Sequence, residues 1–467
     1  MKPSTHKTLT LYQYFTIGFG SIVGTGWVLM VGDWVTLGGG PLAAMIAFAV
    51  GAVCLLPIGA VLGELSAALP TSGGIIDYIE RSFGRRTAFF AGWLLVFGDG
   101  VLCPWESLAM ATILTELVAD FCPWLKSVYL YTIAGSPVYL FPVMIALLFS
   151  VGVIVQNFRG VNHMAALQKW LTRALFLGVA VAVAVSLVYG SPTYVLPLYA
   201  HVAGATGVAA ADTFLAGIAA VLVLTPFFYT GLDTIPDQAE EASETMDWAK
   251  FGQIIVMALV ASAVFYGVCI YSFSTIVPWT EFVLRPIPAL AVLKDIHPAL
   301  YMVMVAIAFI GPLGPMNALF SATARILLAM GRKRMLPSVF GELHPKTGTP
   351  MAANRFLAVL TVIGPFLGHR LLLPLTTIAA LAFIVPCTLT AMACWRMRDR
   401  EPDLRRPYRV PGGKFCIGSG IVCGMGITLL LVWPWGSVSL SAVEWAILLV
   451  WLMLGYVLYA YRGQRDA

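Results

Sequence analysis

The sequence predicts an all-α integral membrane protein of about 12 transmembrane helices, built as a five-plus-five inverted repeat in which helices 1 and 6 are broken. Three observations lead there. Hydrophobic residues make up 59% of 467 and charged residues 11%, with a mean hydropathy of +0.86, values beyond those of a water-soluble core. Apolar runs long enough to cross about 30 Å of hydrocarbon recur along the chain. Two of these runs carry glycine-rich interruptions at matching places in the two halves, and a helix that breaks inside a bilayer frees backbone groups that only a cavity or a ligand can satisfy.

The runs fall at 12–36, 41–68, 88–118, 137–157 and 164–189 (segments 1 to 5), then at 212–236, 252–277, 298–330, 352–369 and 371–395 (segments 6 to 10). Two more follow at 415–436 and 440–461 (segments 11 and 12). The polar start, residues 1–10, leads straight into segment 1 with no small-residue cleavage pattern, so segment 1 is expected to stay in the protein. It contains Gly20-Ser21-Ile22-Val23-Gly24-Thr25-Gly26. The glycines let the chain leave helical geometry, Ser21 and Thr25 supply hydroxyls, and the resuming helix offers free N–H groups and a positive dipole end to a carboxylate. The same small residues also suit close helix packing.

Segment 2 is continuous and ends in Gly63-Glu64-Leu65. Segment 3 places Asp99 and Glu106 inside hydrocarbon, where a carboxylate costs on the order of 2.5 kcal/mol or more, so each is a functional candidate. Segments 4 and 5 complete a first half over 12–189, and a loop over 190–211 leads into a second half over 212–395. Five segments per half invert the second relative to the first. Segment 6 answers segment 1 with Phe227-Phe228-Tyr229-Thr230-Gly231-Leu232-Asp233, aromatic surface and one carboxylate at a second break. Packing within the bundle is the competing reading of those aromatics. Segments 11 and 12, over 415–461, lie outside the repeat. The whole chain reads as one transporter domain.

With the N-terminus cytoplasmic, 24 of the 28 Lys and Arg residues lie on or beside the cytoplasmic face, and only Lys126, Arg285, Lys294 and Arg370 lie outside it. That asymmetry puts both termini in the cytoplasm and explains the +5 net charge without a nucleic-acid partner. The basic stretch Arg396 to Arg409 is suited to anionic lipid headgroups. The eight cysteines offer neither a disulfide framework nor metal-ligand spacing, and the six histidines are dispersed. No metal, cofactor or catalytic cluster is expected, and the chain is read as a non-enzyme.

Five motifs in order resemble the amino acid–polyamine–organocation (APC) permeases. They are Gly20 to Gly26; Gly63-Glu64-Leu65 with Pro70, Gly73, Gly74 and Tyr78; Gly231-Leu232-Asp233 with Glu240 and Glu241; Asn317 with Arg325 and Pro337; and Arg406-Pro407-Tyr408-Arg409-Val410-Pro411. The resemblance implies a LeuT-like fold and alternating-access transport, by a permease or exchanger, of an amino acid or amine. By similarity to members that exchange arginine for agmatine, Phe227 falls where an aromatic covers the substrate, and Asp233 where an acidic residue serves gating or proton sensing. Cys103 and Ser107 fall at substrate-facing positions beside Glu106. A carboxylate there would favour an amine, or it is a hydrogen-bonded carboxyl between helices.

The resulting candidate substrate site comprises Ser21, Ile22, Gly24, Thr25, Gly26, Cys103, Glu106, Ser107, Phe227, Tyr229 and Gly231, with Asp233, Glu106 and Asp33 as gating or proton-coupling candidates. Two departures bear on coupling. Leu175 stands where proton-coupled relatives carry a lysine, and Gly311-Pro312-Leu313-Gly314-Pro315 lacks the hydroxyls a sodium site takes from segment 8. These favour exchange or a proton route through a carboxylate. An organic-cation carrier and a non-transporting amino-acid sensor remain the alternatives; flux separates the second. The partners expected are a small-molecule substrate and membrane lipid, in a bacterial inner membrane.

Overall fold

The computed structural model describes residues 11–71, 73–119, 122, 124, 128–133, 136–159, 164–237, 247–345, 347–434, 436 and 438–462. Residues 1–10 and the acidic residues Glu240 and Glu241 lie outside them. Among the described residues the secondary structure is helical apart from one hairpin, Tyr129–Ile133 paired antiparallel with Ser136–Tyr139, and an isolated bridge between Ala203 and Ala209. Among the described residues nine helices are long and apolar enough to cross a membrane, or ten if the bent pair in segment 1 is one span.

The count falls below twelve for physical reasons. Segment 6 is three short helices, Phe214–Leu222, Thr225–Phe228 and Thr234–Asp237, none of which is long enough alone. Segment 9 is the shorter apolar stretch Met351–Leu367. Segment 1 consists of Leu11–Ile22, Gly26–Leu29 and Val31–Gly38. Its helix is interrupted at residues 23–25, as the glycines require, and it bends by 72° at Met30, where Pro288 packs on Gly32.

Segment 2 forms one helix, Pro41–Ala68, with proline at its first turn. The helix Gly74–Phe83 follows. Segment 3 is Arg85–Gly100 and Leu102–Ala119. Segment 7, Trp248–Ser274, lies along segment 2 and against segment 1. Segment 10, Leu372–Arg400, packs on segment 3 and on segment 11, Gly413–Val432. Segment 12, Ala442–Tyr461, opens with a reciprocal capping box between Ser441 and Glu444.

Segment 12 is pinned to segment 3 by two tryptophans. Trp93 and Trp451 stack at 4.5 Å, Trp93 Nε1 donates to the Trp451 carbonyl at 2.8 Å, and Trp451 Nε1 donates to the Trp93 carbonyl at 2.9 Å.

At the C-terminal end of segment 10, ion pairs tie loops to helices. Fully buried Glu64 accepts from Arg398 Nε at 2.9 Å and from the Val410 amide at 2.7 Å, with Arg406 Nε at 3.3 Å. The Arg406 to Pro411 motif is thereby fastened to segments 2 and 10. Nearby, Lys333 pairs with Asp77 at 2.8 Å and with Glu80. Burial pushes the Lys333 ammonium down, but its bonds to Asp77 and Glu80 outweigh that and hold it above its ordinary value.

Candidate functional site

The two breaks meet. Gly231 adopts φ +105°, a conformation that side chains resist, and a Cβ there would lie 2.7 Å from the Ser21 carbonyl. Only glycine lets segment 6 approach the backbone of segment 1 this closely. Gly26 does the same for a ring: a Cβ on it would lie 2.8 Å from Phe228. A Cβ on Gly24 would collide with the carboxyl of Glu106.

Each break leaves backbone groups that hydrocarbon cannot satisfy, and side chains take their place. On the donor side, the Thr25 N–H points at Glu106 of segment 3, 3.0 Å from Oε1 and 3.3 Å from Oε2, and the Thr25 hydroxyl also donates to Oε2. On the acceptor side, the Tyr266 hydroxyl of segment 7 lies 3.1 Å from the Ile22 carbonyl and 3.1 Å from the Phe228 carbonyl. One hydroxyl therefore spans both breaks. Tyr266 was not singled out in the sequence, although a lone tyrosine in an apolar run has a hydroxyl that must find a partner.

The other expected residues sit around this centre. Ser21 donates back to the Ile17 carbonyl at 2.7 Å. Cys103 Sγ points at the Met316 carbonyl of segment 8 at 3.2 Å. Ser107 donates to the Cys103 carbonyl at 2.9 Å and accepts from Ser150 of segment 4 at 3.1 Å. Phe227 faces Trp105 at 5.6 Å, whereas Phe228 lies on Gly26. With Trp34, Phe48 and Tyr266, Phe228 forms an aromatic layer whose centroids are 4.6 to 6.2 Å apart. Tyr229 turns to segment 2, donating to the Phe48 carbonyl at 2.9 Å. Asp233 accepts from the Gly231 N–H at 3.1 Å, fully buried like Asp99 beside it.

Asp33 lies beyond the 72° bend, away from the breaks, and accepts from Thr206 of the 190–211 loop at 2.5 Å. Two cavities, of about 370 and 320 Å³, share Asp33 and Thr206 in their walls. Leu175 is buried against Gly311, where segments 5 and 8 touch. Trp27 packs on Phe265 at 5.3 Å and over Gly178. Among the described residues no three His, Cys, Asp or Glu side chains converge on a metal-sized site.

The Thr25 N–H is a donor of the kind that suits an anion, and the Ile22 and Phe228 carbonyls are acceptors of the kind that suit a cation. Glu106 already occupies the anion position.

A sequence profile described as amino acid permease matches residues 9–459 of the chain. The chain is 24% identical over 448 residues to the glutamate/serine transporter AimA of Bacillus subtilis (strain 168), covering 92% of this chain and 78% of that protein. It is 23% identical over 482 residues to the branched-chain amino acid permease BcaP of the same organism, covering 99% and 94%. It is 22% identical over 475 residues to that organism's methylthioribose transporter, covering 99% and 95%.

Proposed function

The chain belongs to the amino acid permease family of the APC superfamily, whose members are transporters and not enzymes, and on that premise we propose that it is a secondary transporter moving an amino acid across the membrane by alternating access. The supporting observation is the meeting of the two breaks, Gly231 against the Ser21 carbonyl and Tyr266 on the Ile22 and Phe228 carbonyls. In this reading the substrate ammonium replaces the Tyr266 hydroxyl at those carbonyls, and its carboxylate takes the Thr25 amide.

Glu106 holds that amide first, so a carboxylate-bearing substrate must displace it. Two carboxylates on one amide repel, and a proton on Glu106 removes the repulsion and loosens its hold. Binding of a zwitterion is therefore favoured as pH falls. This proton route is consistent with the Leu175 side chain at the junction of segments 5 and 8, which carries no charge. The Asp99 and Asp233 carboxyls below the second break offer a further place for a proton.

The framework proposed for this cycle is twelve crossings, with 12–189 and 212–395 as inverted repeats of LeuT type and 415–461 as a brace. Both termini are cytoplasmic, in a bacterial plasma membrane, in agreement with the Lys and Arg asymmetry. A second reading rests on the same contact. Because Glu106 fills the carboxylate position itself, an amine without a carboxylate fits with no displacement.

The test is uptake into proteoliposomes of labelled serine, leucine and arginine against their decarboxylated amines, at acid and alkaline pH, for the wild type and Glu106→Gln. Amino acid uptake that falls with rising pH in the wild type, and is flat in Glu106→Gln, is the expected result. Uptake of amines alone transfers the assignment to an organic-cation carrier. Ligand-dependent thermal stabilisation without flux makes the protein a sensor.

A further inference from the structure

We propose that Cys54 and Cys423 form a modification site, a lipid-facing thiol pair that peroxyl radicals of oxidised lipid convert to a disulfide, joining segment 2 to segment 11. The bridge arrests the cycle, a consequence that rests on the transport reading above; its formation does not.

Segment 11 runs antiparallel to segment 2 and meets it at three successive places. Tyr408, just before segment 11, lies 3.3 Å from where a Cβ on Gly63 would stand. A Cβ on Gly420 would lie 3.0 Å from the Pro57 side chain and 3.5 Å from the Ile58 amide nitrogen. Three residues further along segment 11 and three back along segment 2 stand Cys423 and Cys54, and their side chains interact directly. A disulfide needs Cα atoms within about 7 Å of each other, and helices that cross over a glycine come this close.

The pair opens to lipid. Both thiols are free and half-buried, and the residues beside them, Val53 and Val422, are 62% and 70% exposed. An oxidant dissolved in the acyl chains reaches these two, whereas Cys103, Cys269, Cys387 and Cys394 are buried. Charge is costly in hydrocarbon, so the oxidation that fits this place moves hydrogen atoms. A lipid peroxyl radical takes the hydrogen of one S–H and becomes a hydroperoxide. The sulfur radical bonds to the neighbouring sulfur, and dioxygen takes that thiol's hydrogen and leaves as a hydroperoxyl radical. Two thiols, one peroxyl radical and one dioxygen thus give one disulfide, one hydroperoxide and one hydroperoxyl radical, with no ion formed. A solitary thiol has no second sulfur to close the bond.

Segment 2 travels with the breaks, since it lies along segment 7 and its Phe48 carbonyl accepts from Tyr229. Segment 11 is seated on segment 10, with Gly424 against Thr388. At the C-terminal end of segment 2, Glu64 is already tied to Arg398 of segment 10. A covalent bond near the middle of segment 2 adds a second anchor, and the helix loses its freedom to tilt against segments 10 and 11.

The test exposes the protein in proteoliposomes, under air, to azobis(dimethylvaleronitrile), a lipid-soluble source of peroxyl radicals. Tandem mass spectrometry of non-reduced peptides reads the bridge, and amino acid uptake by the same sample reads the arrest. The expected result is a peptide linked through Cys54 and Cys423, with uptake that falls in step with the bridged fraction and returns with dithiothreitol. Cys54→Ala and Cys423→Ala, which leave a small apolar side chain, should keep their uptake through the same treatment.

Thiols that stay unlinked in protein that is monodisperse on purification overturn the proposal, as does a bridge that leaves uptake unchanged. An equal loss of uptake in the alanine variants overturns it too. A protein that forms the bridge but carries no amino acid before oxidation loses the transport reading and keeps the modification site.

Discussion

Gly231 has the least freedom to change of any residue at the breaks. Its φ of +105° costs a side-chain-bearing residue roughly 1–3 kcal/mol, and the Ser21 carbonyl 2.7 Å from the missing Cβ leaves no room to relax. Gly231→Ala should lower the unfolding midpoint and abolish flux, read together by a thermal melt and a proteoliposome assay. Tyr266→Phe keeps the ring and removes the hydroxyl, leaving the Ile22 and Phe228 carbonyls without it. The buried loss is about 1–3 kcal/mol, and because the substrate ammonium then has no hydroxyl to displace, a fall in KM beside that loss of stability is the expected signature of a group at the substrate site. A variant with wild-type KM would place Tyr266 outside it.

Elements explain where the sequence was legible and where it was not. Segment 2 was read as 41–68 and is the helix Pro41–Ala68, because proline at one end and a continuous apolar run fix both boundaries. The second break was read at residues 229–233 and lies there, because Gly231 announces itself. The 72° bend at Met30 is not legible, since neither glycine nor proline stands at that position and the neighbouring Gly32 meets Pro288, 256 residues away, only in the folded chain. The hairpin ending at Tyr139 was merged into segment 4, which begins at Leu140, because short β-rich stretches beside an apolar run share its hydropathy. Tertiary partners likewise decided between neighbours that the sequence could only place side by side: Phe228 lies on Gly26, and Phe227 lies on Trp105.

The same scale carries a prediction about the ion pairs. Glu64 is fully buried with Arg398 and Arg406, whereas Glu401 pairs with Arg81 where both are partly exposed. Removing one partner of a buried pair leaves an uncompensated charge and costs roughly 3–5 kcal/mol, against about 0–1 for an exposed one. Glu64→Gln should therefore depress the thermal midpoint far more than Glu401→Gln. Equal shifts would show that the Arg406 to Pro411 motif is not held by Glu64.

At the scale of the molecule, composition alone settled the class, since 11% charge over 467 residues cannot coat a soluble particle of this size. What composition left open was how polar groups inside the bilayer find partners, and those partners come from distant segments. The paired tryptophans are a long-range case. Trp93 leaves the ribosome 358 residues ahead of Trp451. From the insertion of segment 3 onward, its indole N–H waits in hydrocarbon for a carbonyl not yet synthesised. A nascent chain halted short of segment 12 thus lacks the carbonyl that the Trp93 indole bonds in the folded protein, and the flank of segment 3 stays unfinished until the last segment arrives.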